Sequence, residues 1–432
     1  MLDPNPKTFC SSPWFHMRIR TNGQLRYCRW HGDHKNSLVS SLTQDNFLDY
    51  FQKEMSDIRL RMLQGKTVSG CNRCLQMEQH GKVSGRERQL LKVGIQRNNF
   101  DKTFRSSPFY NEFQKSADNN GHTDLWPQDW QIDLGNHCNS NCVFCSPESS
   151  SRLAIEFKKL GLLDKMPLQN WSDDSDAVDR FVELLSQSKK ITYIHFIGGE
   201  TIITPGFKKI LARLIEQGLN KTISIGFTTN LTVWDQSIVD LLTQYKEVNL
   251  GMSIECFHPI NDYLRWPSKI ESVESIAEKW IKIGKTHKWL MQFRTTPTVF
   301  SIAHLTTIYE YAYAHNIGVE SCNFLDKPEF MRMSILPADI RKKISTELQD
   351  WINTKQLLLS KNKIINGRDP HLSNDYILQD ALSYVDYLNN SPDETGSWPA
   401  LVLYLKKLES SRGNSILTYA PEYEKLLRSS GY

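Results

Sequence analysis

The central part of the chain alternates between short runs of β-branched and aromatic residues and longer stretches with one apolar face. Residues 191–197 and 222–228 are typical of strands that are covered on both faces. Between them, Thr204 and Pro205 predict the start of a helix, whose apolar positions repeat at helical spacing until Gly218. This alternation predicts βα units and a parallel sheet. The predicted strands are residues 130–134, 191–197, 222–228, 248–255, 289–296 and 318–325.

Six such units are too few to close an eight-stranded barrel. The pattern therefore predicts an α/β fold in which residues 121–336 form an open, partial (β/α)6 TIM-like barrel. In barrels of this kind, the functional loops follow the carboxyl ends of the strands. Residues 337–432 have a helical pattern, with helices expected near 340–351, 375–388 and 398–411. We expect this block to cap the open barrel.

Residues 1–120 have a different pattern and are expected to form a separate N-terminal module and linker. Asn22-Gly23 lies between two apolar-alternating runs, which predicts a β-hairpin over residues 17–28. A helix-like stretch at residues 47–63 then leads to a C-x2-C pair, Cys71 and Cys74. The hairpin is expected to bring Cys10 and Cys28 towards the same end of the module.

Composition indicates a globular protein in a reducing compartment. Of 432 residues, 39% are hydrophobic and 23% are charged. No apolar run approaches 18 residues, so neither a membrane span nor a membrane partner is expected, and the first residues do not resemble a signal peptide. The nine cysteines are odd in number and mostly closely spaced, which favours metal ligation in the cytoplasm over disulfides.

Positive charge is concentrated in the first part of the chain. Residues 1–120 contain 19 Lys and Arg against 11 Asp and Glu, whereas the whole chain has a net charge of +4. The excess could offset a cluster bound by thiolates, attract an anionic substrate, or form a solvated basic face. The sequence leaves these three interpretations open.

The strongest chemical signal is a C-x3-C-x2-C motif directly after the first predicted strand of the barrel. Cys138, Cys142 and Cys145 supply three thiolates, which is enough for three irons of a 4Fe–4S cubane. The fourth iron would have no protein ligand and could bind a substrate. A zinc site or three unrelated buried thiols are the alternatives.

At this motif the chain resembles the radical SAM superfamily, in which the open iron binds S-adenosylmethionine (SAM). Phe144, just before the third cysteine, also fits that family. The resemblance extends to Gly198, Gly199 and Glu200 after the second strand, which match the family motif for the amino group of SAM. Two glycines let a ligand approach the backbone, and a carboxylate can accept hydrogen bonds from an ammonium group.

Polar residues at the next two strand ends imply further SAM contacts. In the family, positions corresponding to Thr229, Asn230, Ser253 and Glu255 contact the ribose and methionine parts of SAM. Arg265 could pair with the SAM carboxylate, because guanidinium groups bind carboxylates in a bidentate manner. Serine and threonine at strand ends also commonly cap the next helix, so a structural role stays open for them.

The N-terminal cysteines resemble the twitch domain, an auxiliary-cluster module of the radical SAM subgroup that includes the SPASM type. Cys10, Cys28, Cys71 and Cys74 would hold a second 4Fe–4S cluster. Twitch modules usually follow the barrel, whereas this one precedes it, so its docking cannot be carried over. A structural zinc site with four cysteines is the alternative. Cys256 and Cys322 have no partner spacing and are expected to pack in the core.

The resemblance implies an enzyme that reductively cleaves SAM to a 5′-deoxyadenosyl radical and abstracts hydrogen from a peptide or small-molecule substrate. The auxiliary cluster would accept an electron, giving an oxidoreductase-type outcome, and flavodoxin or ferredoxin would supply electrons. Two other classes stay open: a non-catalytic SAM-binding scaffold, and a zinc-containing module that binds nucleic acid through its basic N-terminus. No nucleic-acid fold signature supports the second.

Overall fold

All nine strands in the described part of the chain belong to one sheet. The computed structural model describes residues 2–29, 40–41, 47–167, 169–188, 190–321, 324–361 and 374–432. The strands are β1 (His16–Ile19), β2 (Gln24–Arg26), β3 (Ser40–Ser41), β4 (Asp129–Asp133), β5 (Tyr193–Ile197), β6 (Ser224–Thr229), β7 (Val248–Ser253), β8 (Leu290–Thr295) and β9 (Gly318–Ser321). Their order is β3-β2-β1-β4-β5-β6-β7-β8-β9, and β4 to β9 are parallel neighbours.

The six strands predicted from the sequence are therefore confirmed as β4 to β9. Residues 322 and 323, in the last predicted strand, lie outside the described residues, and so does Cys322. Helices before β4 are α1 (Ser12–Phe15), α2 (Phe47–Asp49), α3 (Ser56–Leu63), α4 (Asn72–Gln79), α5 (Gly85–Lys92), α6 (Phe100–Arg105) and α7 (Tyr110–Asp118). A π-helical turn, Tyr50–Glu54, follows α2 and leads to α3.

Helices alternate with the parallel strands, as the pattern predicts. They are α8 (Ser151–Lys159), α9 (Ser175–Gln187), α10 (Pro205–Glu216), α11 (Gln236–Leu242), α12 (Ile260–Leu264), α13 (Ile270–Thr286) and α14 (Leu305–His315). The C-terminal block contains α15 (Ala338–Lys361), α16 (Asn374–Asn390), α17 (Trp398–Arg412), α18 (Ile416–Tyr419) and α19 (Glu424–Ser429). Among the described helices, none is long and apolar enough to cross a bilayer.

The sheet is strongly curved, as a partial barrel requires. On its outer face, Trp130 of β4 packs against Phe181 of α9. On its inner face, Arg294 Nη1 of β8 lies 2.7 Å from His195 Nε2 of β5, although two strands separate β5 from β8. Side chains from distant strands can meet only across a concave face. The inner face therefore encloses a lumen lined by polar side chains.

The N-terminal hairpin forms as predicted, but it belongs to the barrel sheet. Asn22-Gly23 lies in the turn, where Gly23 has a φ of +80° that favours glycine. β1 pairs antiparallel with β2 and parallel with β4, so that His16 lies opposite Asp129. β1 thus joins residues before position 120 to the barrel sheet, and the division of the chain at residue 120 stays a prediction. This pairing supplies the docking of the N-terminal module that its position in the chain left open.

A buried ion pair joins the N-terminal module to the C-terminal block. Lys82 Nζ lies 2.6 Å from Asp380 Oδ1 of α16, and both side chains are almost fully buried. Tyr309 of α14 donates to the other carboxylate oxygen of Asp380 at 2.8 Å. Because removing one partner would leave a buried charge without compensation, this contact fixes the three regions relative to one another.

Candidate functional site

The C-x3-C-x2-C loop begins where β4 ends and is anchored through its backbone. Asn141 N donates to Trp266 O at 2.7 Å and Val143 N donates to Leu264 O at 2.8 Å. Both acceptors belong to the segment around the end of α12. The loop is therefore fixed to a second βα connection of the barrel, in the position that the sequence predicts for a site.

The three thiols of this loop lie close to one another. Burial, together with Cys142 and Cys138, raises the pKa of the Cys145 thiol to about 12. Burial and Cys142 raise the pKa of Cys138 to about 11. Thiols that disfavour each other's ionisation in this way need a bound cation to become thiolates together. The set is chemically suited to hold a metal centre.

A cluster and a single ion place different demands on three thiol ligands. In the described part of the chain, no group of three or more His, Cys, Asp or Glu side chains is arranged to hold a metal ion. A zinc ion needs its sulfur ligands about 2.3 Å from one point. A 4Fe–4S cluster distributes its ligands over separate irons and accepts wider spacing. The cluster at Cys138, Cys142 and Cys145 stays a prediction.

Gly198 and Gly199 lie against the start of the cysteine loop. Gly199 N donates to Gly135 O at 2.9 Å, and Glu200 N donates to His137 O at 2.7 Å. A Cβ atom at position 199 would lie 2.2 Å from His137 O. The structure thus requires glycine at this position for a close approach of two chain segments, whereas the sequence argument invoked a ligand. The contact with SAM stays a prediction.

Glu200 is fully buried and receives three hydrogen bonds. Its Oε1 atom accepts from Ile202 N at 3.1 Å and Thr229 Oγ1 at 2.8 Å, and its Oε2 atom accepts from Asn230 N at 2.5 Å. Burial raises the pKa of this carboxyl group to about 7 in spite of these donors. Glu200 therefore connects the end of β5 to the end of β6.

The side chain of Asn230 extends this network to the cysteine loop. Its Nδ2 atom donates to Asn139 Oδ1 at 2.9 Å and to Ser140 Oγ at 3.1 Å. The structure thus brings Glu200, Thr229 and Asn230 together with two residues of the C-x3-C segment. Asn139 and Ser140 lie about 90 residues before Asn230, so the spacing of the motif does not reveal this contact.

Glu255 and Arg265 form a buried pair beside the cysteine loop. Arg265 Nη2 lies 2.5 Å from Glu255 Oε1, and the guanidinium carbon lies 5.5 Å from the centre of the Phe144 ring. Glu255 Oε2 accepts from Thr295 Oγ1 at 3.1 Å. Arg265 is thus engaged inside the protein, and its predicted pairing with a SAM carboxylate would be additional to this contact. Ser253 lies half-buried at the end of β7.

The C-terminal block contributes residues that the sequence did not reveal. Tyr404 of α17 donates to Val143 O at 2.7 Å, inside the cysteine motif. Arg412, at the end of α17, donates to Glu156 Oε2 at 2.7 Å, and the same oxygen accepts from Asn141 Nδ2 at 2.9 Å. The helix therefore supports the cysteine loop from outside the barrel. No spacing or motif in residues 337–432 indicates this contact.

The four N-terminal cysteines line one cavity beside the barrel. Cys10 precedes α1, Cys28 follows β2, and Cys71 and Cys74 lie at the start of α4. Burial and Cys74 raise the pKa of Cys71 to about 11, and burial and Cys28 raise that of Cys74 to about 11. The predicted convergence of these four thiols is thus present in the structure. The identity of the group that they bind stays a prediction.

A buried histidine beside these cysteines lacks a hydrogen-bond partner. His16, also in the cavity lining, is 5% exposed, and neither of its ring nitrogens makes a hydrogen bond to a residue that the structure describes. Its nearest charged atom is Asp129 Oδ2, 3.6 Å from Nδ1. Leaving a buried polar group unsatisfied costs about 1–3 kcal/mol. A sulfur-rich cluster would supply the missing acceptor, so the cavity fits such a group.

A family comparison agrees with the barrel site. Residues 132–294 match the model described as the Radical SAM superfamily, a span that runs from β4 to β8 and contains the cysteine motif, Gly198 to Glu200 and Arg265. No curated protein matches the chain.

Several solved structures show weak overall similarity. For SuiB of Streptococcus suis bound to S-adenosylmethionine, the identity is 16% and the TM-score 0.37, covering 80% of this chain and 71% of that chain. Native anSMEcpe with bound AdoMet has 18% identity and a TM-score of 0.40, covering 54% and 62%. TsrM from Kitasatospora setae, a radical S-adenosylmethionine methyltransferase, has 13% identity and a TM-score of 0.33, covering 46% and 38%. The family match, rather than these similarities, bears on function.

Proposed function

We propose that this chain is a radical SAM enzyme, which uses a 4Fe–4S cluster and SAM to oxidise its substrate through radical chemistry. The match of residues 132–294 to the Radical SAM superfamily supports this. Its substrate would be a peptide or a small molecule. The observation that carries the proposal is the convergence of Cys138, Cys142 and Cys145 at the carboxyl end of β4, inside the matched span.

In this proposal Cys138, Cys142 and Cys145 ligate the cluster at which SAM binds. The chemistry supplied there is one-electron cleavage of SAM to methionine and a 5′-deoxyadenosyl radical, which takes hydrogen from the substrate. Glu200 would accept from the ammonium group of SAM. Burial raises the pKa of Glu200 to about 7, so the carboxyl group ionises as the pH rises through this value. The ionised carboxylate would then bind the ammonium group of SAM more strongly. Burial of the site excludes water.

The second part of the proposal concerns the four-cysteine cavity. Cys10, Cys28, Cys71 and Cys74 would hold an auxiliary 4Fe–4S cluster that accepts an electron from the substrate radical, so that the product is oxidised. The buried His16 supports this, since it lines the cavity and its ring nitrogens make no hydrogen bond to any described residue. A reduced flavodoxin or ferredoxin, in a reducing cytoplasm, would supply electrons to the enzyme.

The metal content tests both halves of the proposal. Protein reconstituted under anaerobic conditions is expected to contain about eight irons per chain, because two cubanes hold four irons each. Elemental analysis and EPR after dithionite reduction measure this. About four irons together with zinc would refute the auxiliary cluster. Two clusters without formation of 5′-deoxyadenosine from SAM would favour a non-catalytic SAM-binding protein.

Replacement of Glu200 by glutamine tests the buried network around the SAM site. The amide nitrogen cannot accept hydrogen bonds, so Glu200→Gln leaves at least one of three donors opposite another donor. We expect a destabilisation of about 1–3 kcal/mol, weaker SAM binding and an unchanged iron content. Thermal unfolding and titration calorimetry with SAM would measure these effects.

Glu216→Gln is the matched control for this variant. Glu216 lies on the exposed face of α10, and its carboxylate is 2.9 Å from Arg213 Nη1. The same chemical change there should leave SAM affinity and stability close to those of the wild type. Equal effects of the two substitutions would contradict a specific role for Glu200.

A further inference from the structure

Helix α8 is attached to the cysteine loop at its first turn. Ser150, the N-cap residue, donates through its hydroxyl group to Ser140 O at 2.7 Å. One turn further on, Arg152 Nη1 donates to Asn139 O at 2.8 Å, although Arg152 itself is exposed. Both acceptors lie between the first two cysteines of the motif. The exposed side of α8 therefore begins directly beside the loop that carries the barrel cysteines.

The charged side chains of α8 are divided between the two sides of the helix. Its one carboxylate, Glu156, is buried and accepts hydrogen bonds from Arg412 and Asn141. Residues three and four positions apart share a helix face, so Ile155 lies between cations along the exposed side. This exposed side is termed the basic face, and its residues are Arg152, Ile155, Lys158 and Lys159.

Helix α17, which contacts α8 through a pair of aromatic rings, has a similar arrangement. Leu403 is 61% exposed, and Lys406 and Lys407 follow it at the spacing of three and four residues that also separates Ile155 from the lysines of α8. The carboxylate of Glu409 accepts three hydrogen bonds from other parts of the chain. Both helices that support the cysteine loop thus expose lysine and keep their carboxylates engaged.

Apolar side chains are exposed in the same region. Of the five large hydrophobic side chains that are exposed in the described part of the chain, three belong to these two helices or to the loop after α8, namely Ile155, Met166 and Leu403. Exposed carboxylates at Glu148 and Asp164 flank α8 in the sequence, whereas the basic face has three cations and no carboxylate. An apolar centre with a charged rim is the composition of a protein–protein contact.

The electron for the proposed reaction must reach the three-cysteine site from another molecule. The rate of electron transfer falls steeply with distance, so a carrier protein has to dock close to the cysteine loop. A surface with one sign of charge attracts and orients a partner of the opposite sign. The basic face meets both conditions, because it carries positive charge and α8 contacts residues 139 and 140 directly.

We propose that the basic face is the docking surface of an acidic flavodoxin that delivers this electron. Flavodoxin hydroquinone would pass one electron to the oxidised cluster and become the semiquinone, with no bond formed or broken. The dimethylbenzene edge of a flavin is apolar, which matches Ile155 at the centre of the face. The proposal rests on the proposed function for the destination of the electron, whereas docking itself requires neither SAM nor turnover.

Binding of oxidised flavodoxin to the reconstituted holoenzyme tests the surface. Calorimetric titrations at low and high ionic strength would compare the wild type with a variant that combines Lys158→Glu and Lys159→Glu. We expect this variant to lose about tenfold in affinity at low ionic strength, because two attractive charges become repulsive. The difference should shrink at high ionic strength, since salt screens exposed charges.

Two single substitutions keep the test decisive if the double variant does not fold, as judged by iron content and thermal midpoint. Lys158 also donates to Asp164 O at 2.6 Å, so Lys159→Glu alone is the milder change, with an expected loss of about threefold in affinity. Ile155→Ser should weaken binding at both ionic strengths, because salt does not screen an apolar contact. Unchanged affinity in both single variants would overturn the surface.

A variant that combines Lys342→Glu and Lys343→Glu is the matched control. These two lysines are an adjacent, exposed pair on α15, which packs on α16. The same reversal of charge there should leave the affinity for flavodoxin close to that of the wild type. Equal losses in the two double variants, or no binding to the wild type, would overturn the surface. Lysine-dependent binding of a ferredoxin or a single-stranded oligonucleotide, with none of flavodoxin, would overturn the choice of partner.

The source of the electron separates this outcome from that of the proposed function. Stopped-flow measurement of semiquinone formation follows reduction by flavodoxin hydroquinone, and the variant with Lys158→Glu and Lys159→Glu should be slower. Formation of 5′-deoxyadenosine with dithionite should be unchanged in this variant, because a small reductant does not need the docking surface. Lysine-dependent docking without this product in the wild type would refute the radical reaction and retain the surface. The product without lysine-dependent docking would retain the reaction and refute the surface.

Discussion

Cys142→Ala is expected to reduce the formation of 5′-deoxyadenosine to background. Cys142 is the central cysteine of the C-x3-C-x2-C motif, and its side chain is buried beside the Arg265–Glu255 pair. Three thiolates are the smallest set that leaves one iron of a cubane open for SAM, so loss of one removes a third of the protein ligands. The measurement is chromatographic detection of 5′-deoxyadenosine after dithionite reduction, together with iron content.

Cys256→Ala provides the matched control for this substitution. Cys256 is a fully buried thiol that follows β7 and belongs to neither cysteine set. Its replacement should leave the iron content and SAM cleavage unchanged, at a cost in stability of about 1 kcal/mol. SAM cleavage at the normal rate by Cys142→Ala, or its loss in Cys256→Ala, would show that the motif has been assigned to the wrong chemistry.

The barrel was predictable because each of its strands carries its own local signal. Runs such as residues 191–197 are apolar on both faces, and helix starts such as Thr204-Pro205 have local chemistry that single positions reveal. The structure confirms α10 from Pro205 and a left-handed Gly218 just after it, with a φ of +70°. The cysteine motif is equally local, since its three ligands lie within eight residues.

The position of the N-terminal module was not predictable, because it depends on strand pairing over a long range. Alternation in residues 16–19 identifies a strand but does not identify β4, more than 100 residues later, as its neighbour. That pairing brings His16 opposite Asp129 and places Arg18 opposite Gln131 on the inner face of the sheet.

The immediate surroundings of the candidate SAM site were also hidden from sequence reasoning. The sequence predicts Glu200 as a ligand for an ammonium group, and that contact stays a prediction. The hydrogen bonds that Thr229 and Asn230 donate to its carboxylate were found only in the structure. Tyr404 contacts the cysteine loop and Arg412 contacts Glu156 beside it, and both contacts join positions about 260 residues apart. Such pairs have no periodicity or spacing, since only the folded chain brings them together.

The double variant Cys71→Ala with Cys74→Ala is expected to lower the iron content from about eight to about four per chain, because two of four ligands are lost. The substitutions should leave α4 intact. Cys71 is the N-cap of that helix, but its side chain makes no capping hydrogen bond, and alanine at position 74 favours the helix. The variant therefore removes metal ligands with little change to the local fold.

Because the barrel site lies in a separate part of the sheet, this double variant should still cleave SAM.

EPR distinguishes the two centres. A cluster bound by three cysteines has an open iron, so its signal should change when SAM is added, whereas a cluster bound by Cys10, Cys28, Cys71 and Cys74 is closed and should not respond. Reduced wild type is thus expected to show one SAM-sensitive and one SAM-insensitive signal, and the double variant only the sensitive one. A SAM-insensitive signal that survives in the variant, or loss of the SAM-sensitive one, would contradict the assignment of the four cysteines to an auxiliary electron acceptor.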